Sequence, residues 1–460
     1  MKSRHLRKKL ASRDSSRLHL KPHYFPSYFS FSKTLPHDSN GIVDPNAFKI
    51  YLKAITTQKD INLIPLAPGS KMKLVDIYAA QSYVLGGLDL GALVCPTPPT
   101  PSSPNFSTEL LELYEQALVR DVPFDQLGSK FRGTGIGDMT GPYLSQFFLA
   151  DILCGAVLNI QKYKSPDPLL GRVDFATTVE EVVNLMNGIP VTSSSNRFGP
   201  PAYINTGRQL AEAVHNDPLC ILMENAWMIL SAKGIPPNPS LIQDKNMARF
   251  ATLFGGADTY GLLGVVSNLA LRHAWYNKYQ RYNLMRGEQA GLLLHQSLTS
   301  SANHFPDLNV NNPILKQIYD KYQTYLLPQA YPEGSPAHPS YPSGHAAIVG
   351  ACSIILKAAF DTSKIWTNPV VVGPQNQIII PYLQAPAQEL TIEGELNKFL
   401  SNISIGRNWA GIHYRSDAIE GIKLGEEVAI AYLRDHLSLV KGSNITVRRY
   451  HGEVVVIKPN

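Results

Sequence analysis

Apolar residues recur at helical spacing along much of this 460-residue chain. Between residues 394 and 404, Leu396, Phe399, Leu400 and Ile403 follow the i, i+3, i+4, i+7 pattern, which places them on one buried helix face. This periodicity predicts a mainly α fold in which helices pack as bundles. The predicted helices span 107–118 (capped by Ser107 or Thr108), 143–162, 178–187, 218–233, 258–280, 312–326, 344–360, 394–404 and 417–438.

Strand-like runs are few and short. Two valine- and isoleucine-rich runs, 370–372 and 378–380, flank a turn that contains Gly-Pro, and Val447 to Ile457 flank His451-Gly452. Both patterns are typical of small hairpins. The predicted domains are a basic, partly disordered arm (1–45), a helical body (46–440) and a C-terminal β-hairpin tail (441–460).

The positive charge of the chain is concentrated at one end. The formal charge is +6, from 42 cations and 36 carboxylates, yet residues 1–21 hold eight lysines and arginines against Asp14 alone. The rest of the chain therefore sums to −1, and this near-neutral body argues against a nucleic-acid partner. The arm is interpreted as a solvated extension, with contact to an anionic surface or organelle targeting as alternatives.

Composition excludes several further classes of protein. With 44% hydrophobic and 17% charged residues the chain is not a disordered polyelectrolyte. No signal-peptide h-region and no run of 18 apolar residues is found, so we expect a soluble protein and favour a cytoplasmic location. The four cysteines, at positions 95, 154, 220 and 352, have neither disulfide-scaffold nor zinc-finger spacing and are expected to be buried free thiols.

The first motif with chemical content is Ser335-Pro-Ala-His-Pro-Ser-Tyr-Pro-Ser-Gly-His345. Its prolines forbid a helix up to Pro342, whereas the residues after it are apolar and helical, so Ser343, Gly344 and His345 lie at a helix N-terminus. Unpaired N–H groups at such a terminus suit an oxyanion, and a histidine there can move protons near neutral pH. An ordinary helix start with a surface histidine is the alternative.

The second motif is Arg407-Asn-Trp-Ala-Gly-Ile-His413-Tyr-Arg-Ser-Asp417. On a helix, Asp417 lies within hydrogen-bonding reach of His413, four residues earlier. A carboxylate that holds Nδ1–H leaves a basic Nε2, which can bind a metal or attack phosphorus. Arg407 offers a planar set of donors for oxyanion oxygens. A buried core histidine, a plain Arg407–Asp417 ion pair and simple helix capping by Asp417 are the alternatives.

The third motif is Trp275-Tyr-Asn-Lys278 followed by Arg286. Eight residues of helix separate Lys278 and Arg286 by about 12 Å along the axis. Their side chains can converge if the helix bends or ends between them. A solvated, basic helix end is the alternative.

Taken in order, the three motifs resemble the signature shared by vanadium-dependent haloperoxidases and phosphatidic-acid-phosphatase-type acid phosphatases. The pattern is Lys-x7-Arg, then Pro-Ser-Gly-His, then Gly-Arg-x5-His-x3-Asp. Within that superfamily, the longer blocks 333–346, 411–417 and 141–147 resemble the algal and bacterial vanadium bromoperoxidases. The resemblance covers roughly residues 130–435 and implies a mainly α fold of two helical bundles with vanadate as cofactor.

The resemblance also implies a role for each matching residue. His413 would ligate vanadium through Nε2, with Asp417 orienting it, and His345 would be the acid/base. Lys278 would bind vanadate and donate to the peroxide. Trp275 and His338 would face the halide. The full set implied to bind vanadate is Lys278, Arg286, Ser343, Gly344, His345, Arg407 and His413.

This chain departs from the minimal pattern at three points. Seven residues rather than six separate Lys278 from Arg286, Gly287 stands where proline is usual, and Gly406 replaces the usual serine. The chain is also shorter than typical algal members, so their oligomer contacts do not carry over.

The implied activity is oxidation of bromide and iodide by hydrogen peroxide to a hypohalous species that halogenates a small organic acceptor. His338, where chloroperoxidases carry an aromatic residue, favours bromide and iodide over chloride, and Trp275 could restrict the halide to iodide. Two alternatives stay open: an acid phosphatase with His413 as nucleophile, and a non-enzymatic helical binding protein. A homo-oligomer is compatible with the sequence.

Overall fold

The structure is a computed structural model, and it describes residues 22–57, 59–81, 84, 86–127, 140–150, 162–193, 197–218, 220–241, 246–440 and 444–460. Within these ranges it is mainly α-helical, as predicted. The α-helices are α1 Pro45–Thr57, α2 Pro104–Val119, α3 Val179–Met186, α4 Gly207–Ala213, α5 Ile221–Ala232, α6 Gly256–Tyr276, α7 Gly287–Thr299, α8 Pro313–Tyr322, α9 Gly344–Ala359, α10 Ile392–Trp409 and α11 Arg415–Leu439.

Shorter elements connect these helices. A π-helical segment, Asn277–Tyr282, continues α6. Strands β1 Val370–Val372 and β2 Ile379–Pro381 form one antiparallel pair, and β3 Ile445–Arg448 and β4 Val454–Ile457 form another. Single 3₁₀ turns lie at Ser27–Phe29, Ile61–Leu63, Ile77–Gln81, Gln146–Phe148 and Pro374–Asn376. The predicted hairpins are therefore present at both positions.

Several predicted helix boundaries were wrong. Helix α2 begins at Pro104 because Ser103, rather than Ser107 or Thr108, caps it by accepting from the backbone N–H of Phe106. The helix predicted over 143–162 is only the turn Gln146–Phe148 in its described part, and residues 151–161 lie outside the described residues. Helices α1, α4 and α7 had not been predicted.

Helix α9 is the centre of the core. Every residue of α9 except His345 is buried, and the helix packs against α11, α6 and α10. Contact with α11 is close because Gly425 faces α9, where a Cβ would lie 2.0 Å from the Ala347 carbonyl oxygen. The backbone N–H of Ser343 donates to the Asp417 carbonyl oxygen at 2.9 Å. This crossing brings the start of α9 beside the start of α11.

The described part of the N-terminal arm packs on the body. Ser30 pairs with Leu284, and the Phe31 N–H donates to the Asn283 carbonyl oxygen at 2.8 Å. The Lys33 ammonium lies 3.0 Å from the Glu288 carboxylate, with both side chains buried. The arm thus supports the chain between Lys278 and Arg286. None of the helices in the described ranges is long and apolar enough to cross a membrane.

We predict that Lys33→Met lowers the free energy of unfolding by about 3 kcal/mol, because it leaves the buried Glu288 carboxylate without its cation. The double variant Lys33→Met/Glu288→Gln should recover part of this loss, since the remaining group is neutral. Urea unfolding measures the free energy of unfolding of both variants. Lys316→Met, which removes an exposed ion pair with Asp320, is the matched control and should change little. Equal losses at the buried and exposed pairs would contradict this interpretation.

Candidate active site

The residues of the three sequence motifs lie around one buried site. The start of α9, the π-helical end of α6, the last turn of α10 and the segment that enters α11 converge there. Three cationic side chains line it. Lys278 is 0%, Arg286 1% and Arg407 6% exposed.

Lys278 and Arg286 converge because the helix ends between them. The π-helical segment stops at Asn283, whose φ of 48° turns the chain, and Arg286 then precedes α7. The Lys278 ammonium donates to the carbonyl oxygens of Pro339 (2.7 Å) and Ser340 (2.6 Å). Arg286 Nε donates to the His338 carbonyl oxygen at 2.8 Å. Both cations are therefore held by backbone of the proline-rich motif.

The hydrogen bonds of His413 define its tautomer. Its Nδ1 lies 2.6 Å from Asp417 Oδ2, so Nδ1 carries the proton. Its Nε2 lies 3.0 Å from Arg286 Nη1 and accepts from it. Asp417 Oδ2 also accepts from the Ser340 hydroxyl and from the Tyr414 N–H. His413 therefore presents an Nε2 lone pair to the cationic side of the site.

The start of α9 forms another wall. Ser343 is the N-cap residue, and its hydroxyl accepts from the Ala346 N–H at 3.4 Å. At Gly344, a Cβ would lie 3.0 Å from the Trp275 ring, so the absence of a side chain lets α9 approach α6. His345 Nε2 lies 3.0 Å from Asp217 Oδ1. Asp217 was not predicted from the sequence, because it lies 128 residues before His345 and belongs to no motif.

Arg407 is held by the chain that precedes Asp217. Its Nη1 donates to the carbonyl oxygens of Val214 (2.6 Å) and His215 (3.4 Å), and its guanidinium lies 5.5 Å from the Tyr331 ring centroid. Its Nε is buried and has no hydrogen-bond partner among the described residues. No Arg407–Asp417 ion pair is present among these residues, so the plain ion-pair alternative was wrong.

Trp275 and His338 lie against each other beside Lys278. Their ring centroids are 4.6 Å apart, and the Lys278 ammonium is 5.6 Å from the Trp275 ring. Arg286 Nη2 lies 2.9 Å from His338 Nδ1. The Trp275 indole N–H donates to the Val75 carbonyl oxygen at 3.2 Å, which orients the ring.

Burial and mutual repulsion shift the pKa values of these groups. Burial, with the charges of Arg286 and Arg407, holds the pKa of Lys278 well below its usual range. Burial lowers the pKa of Arg286 to about 10. Burial and the neighbouring cations also hold the pKa of His413 well below the ordinary value, which keeps its imidazole neutral. Burial lowers the pKa of His345, and Asp217 offsets only part of that shift.

The donor set fits an oxyanion. Three buried cations face a site in which two carboxylates, Asp417 and Asp217, already hold histidines. A bare metal cation would be repelled there, and no cluster of three His, Cys, Asp or Glu side chains suited to one occurs in the described ranges. Arg407 Nε is an unused donor among the described residues, and the unprotonated Nε2 of His413 has a lone pair that can ligate. An anion of phosphate or vanadate size matches this chemistry.

A cluster of side chains around His215 was also missed by sequence reasoning. The His215 ring stacks on Tyr331 with centroids 3.6 Å apart. Its Nε2 hydrogen bonds to the Glu333 carboxylate, and its Nδ1 lies 3.4 Å from Glu212 Oε1. Since the His215 carbonyl oxygen accepts from Arg407, this group holds the backbone that positions Arg407. The Glu212–His215 spacing of three residues was the only signal in the sequence, and it is common on helices.

Known proteins are similar to this chain in sequence and in fold. The family model for the VCPO second helical-bundle domain matches residues 261–442. A vanadium-dependent bromoperoxidase of Corallina officinalis is 30% identical over 91% of this chain and 89% of its own length. A vanadium-dependent bromoperoxidase of Ascophyllum nodosum is 29% identical over 92% of this chain and 86% of its own length. The homohexameric structure of the second vanadate-dependent bromoperoxidase of A. nodosum superposes with a TM-score of 0.88 at 27% identity, over 97% of this chain and 88% of that one.

We predict that His215 contributes pH-dependent stability. Burial alone would lower its pKa, but hydrogen bonds and charges from Glu212 and Glu333 outweigh burial and raise it. The protonated imidazole therefore stabilises the fold fully below its ordinary pKa of about 6.5, and this contribution disappears as pH rises through the higher folded-state pKa. The stability difference between wild type and His215→Gln should be largest near pH 6 and should shrink toward alkaline pH.

Urea unfolding at a series of pH values measures this difference. His451→Gln, on the exposed turn of the C-terminal hairpin, is the control, because burial lowers rather than raises the pKa of His451. A difference for His215→Gln that stays constant from pH 6 to pH 9 would contradict the prediction.

Proposed function

The chain belongs to the vanadium-dependent bromoperoxidase family, and on this premise we propose that it oxidises bromide with hydrogen peroxide, using vanadate as cofactor. The product is a hypohalous species that halogenates a small organic acceptor. One observation carries the proposal: neutral His413 directs its Nε2 lone pair at the Arg286 guanidinium, on the side of the site where the buried side chains of Lys278, Arg286 and Arg407 lie.

Each site residue has a role in this proposal. His413 Nε2 would hold the vanadium, while Lys278, Arg286, Arg407, Ser343 and Gly344 would hold the vanadate oxygens. Bound vanadate supplies a Lewis-acidic centre that makes peroxide electrophilic toward a halide. Asp417 keeps Nε2 of His413 unprotonated by holding the proton on Nδ1.

His345 is the proposed acid/base. Asp217 holds its Nε2, which leaves Nδ1 as the atom that accepts and returns the proton of peroxide. Because the pKa of His345 is lowered, the ring is neutral and able to accept a proton near pH 7. Asp217 then stabilises the imidazolium that forms.

Lys278 is the proposed donor to peroxide. Its pKa is lowered by burial and by the other cations, so the negative charge of the oxyanion would raise it again and keep the ammonium protonated. A charged donor aimed at the reacting oxygens strengthens their polarisation in a site that excludes water.

The function is tested with the purified apoprotein, orthovanadate, peroxide and bromide. Wild type should bind vanadate tightly and brominate an organic acceptor. His413→Ala should lose bound vanadium after dialysis and lower bromination by roughly 100-fold or more. His436→Ala, on α11 beside Asp258, is the matched control and should keep both properties. Hydrolysis of a phosphomonoester that vanadate inhibits, with no halide oxidation, would show the phosphatase instead.

His338 is proposed to support oxidation of bromide. It lies between the Trp275 ring and Arg286, beside the Lys278 ammonium, where a halide would approach. His338→Ala should lower kcat/KM for bromide by roughly tenfold, equivalent to about 1.4 kcal/mol, with the bound vanadium unchanged. A halide-resolved assay with metal analysis measures this. Parallel loss of vanadium would show instead that His338 supports the cofactor through Arg286.

A homo-oligomeric state is also part of the proposal. Support comes from the A. nodosum relative, which is described as homohexameric and shares the fold over nearly the whole chain.

A further inference from the structure

Two cysteines share one hydroxyl group at the junction of three helices. Ser267 Oγ on α6 lies 3.2 Å from Cys220 Sγ at the start of α5 and 3.1 Å from Cys352 Sγ on α9. Each thiol also shifts the pKa of the other, so the two sulfurs lie within interaction range. Both are free thiols, and the mechanism above uses neither.

The two thiols differ in reactivity. Cys220 is partly exposed and precedes the first turn of α5, where the helix dipole favours a thiolate. The hydrogen bond from Cys352 lowers the pKa of Cys220 despite its burial. Cys352 is fully buried, and burial raises its pKa well above the usual range. Cys220 is thus suited to attack an oxidant. Cys352 contacts the same Ser267 hydroxyl as Cys220, and this position makes it the sulfur that can resolve the product.

The pair joins the same two segments that meet at the acid/base histidine. Cys220 follows Asp217 by three residues, and Cys352 follows His345 by seven, which is two helical turns or about 10 Å along α9. The Asp217–His345 hydrogen bond and the contacts of Ser267 with Cys220 and Cys352 therefore hold the chain at Asp217 and at Cys220 close to α9. The same segment accepts from Arg407 through Val214.

We propose that Cys220 and Cys352 are an oxidative modification site, at which hydrogen peroxide forms a disulfide that ties the chain at Cys220 to α9. The supply of the oxidant rests on the proposed function, whose substrate is peroxide. The cross-link would hold Asp217 against His345 covalently.

The chemistry balances with peroxide as the only oxidant. The Cys220 thiolate attacks one peroxide oxygen, an S–O bond forms, the O–O bond breaks, and hydroxide leaves and becomes water with the thiol proton. The Cys352 sulfur then attacks the Cys220 sulfenic sulfur. The S–S bond forms as the S–O bond breaks, and the second oxygen leaves as water with the Cys352 proton. Two thiols lose two electrons, and one peroxide is reduced to two waters.

Cys95 provides a control within the chain. It is buried, and burial raises the pKa of its thiol. Its sulfur lies 4.0 Å from the Glu420 carbonyl oxygen rather than beside Ser267. It should therefore resist mild oxidation.

The test treats the full-length protein with a small excess of hydrogen peroxide in buffer without vanadate or bromide. Non-reducing peptide mapping should show a peptide pair joined through Cys220 and Cys352, two hydrogens lighter than the reduced pair and separated by dithiothreitol. Cys95→Ser should still form the link, and Cys220→Ser should not. Overoxidation of Cys220 without a link, a link to another cysteine, or no reaction would each overturn the proposal.

Two further measurements guard against a variant that does not fold. Wild type whose Cys220 is first alkylated with N-ethylmaleimide should form no link. The oxidised wild type should unfold several degrees higher than the same protein reduced with dithiothreitol, a difference that Cys220→Ser lacks. If the disulfide forms but the unfolding temperature does not change, the proposal that the cross-link holds this segment against α9 would be overturned. Because vanadate and bromide are omitted, loss of bromide oxidation would contradict only the proposed function.

Discussion

The buried excess of positive charge is the constraint on which the rest of the site depends. Lys278, Arg286 and Arg407 are almost wholly removed from water, and among the described residues their hydrogen bonds go mainly to backbone carbonyl oxygens. Carbonyl dipoles stabilise a buried cation less than a carboxylate does, so each charge remains available to an anion. Carboxylates placed beside the cations would stabilise the apoprotein and weaken binding of the oxyanion.

That arrangement requires rigid backbone in three places. The carbonyl oxygens that hold Lys278 and Arg286 belong to the proline-rich segment 338–340, whose φ angles are restricted at Pro339. The backbone carbonyl oxygens of Val214 and His215 hold Arg407. The close crossing of α9 with α11 allows the backbone hydrogen bond between Ser343 and Asp417. The Lys33–Glu288 pair adds support from the arm. Backbone carbonyl oxygens therefore position the cations, and the packing of the surrounding elements positions that backbone.

Sequence reasoning predicted the elements that have regular patterns. Helices α9, α10 and α11 carry apolar residues at helical spacing, and the motif residues lie together around the site. Helix α7 was not predicted because polar residues, Glu288 and Gln289, occupy buried positions at its start. Asp217 and His215 were missed for a related reason: His345 and Glu333, with which they form hydrogen bonds, are far away in sequence, and the spacing of His215 from its local partner Glu212 is common on helices. Long-range polar contacts need the three-dimensional fold.

The pairing of the arm with the centre of the molecule has a consequence for biosynthesis. Residues 30–33 find their partners at Leu284 and Glu288, about 250 positions later, and His413 is made later still. About 250 further residues must therefore be made before residues 30–33 can dock on these partners. Residues 30–33 are therefore made well before the partners that hold them, and they can take their native position only once those partners exist.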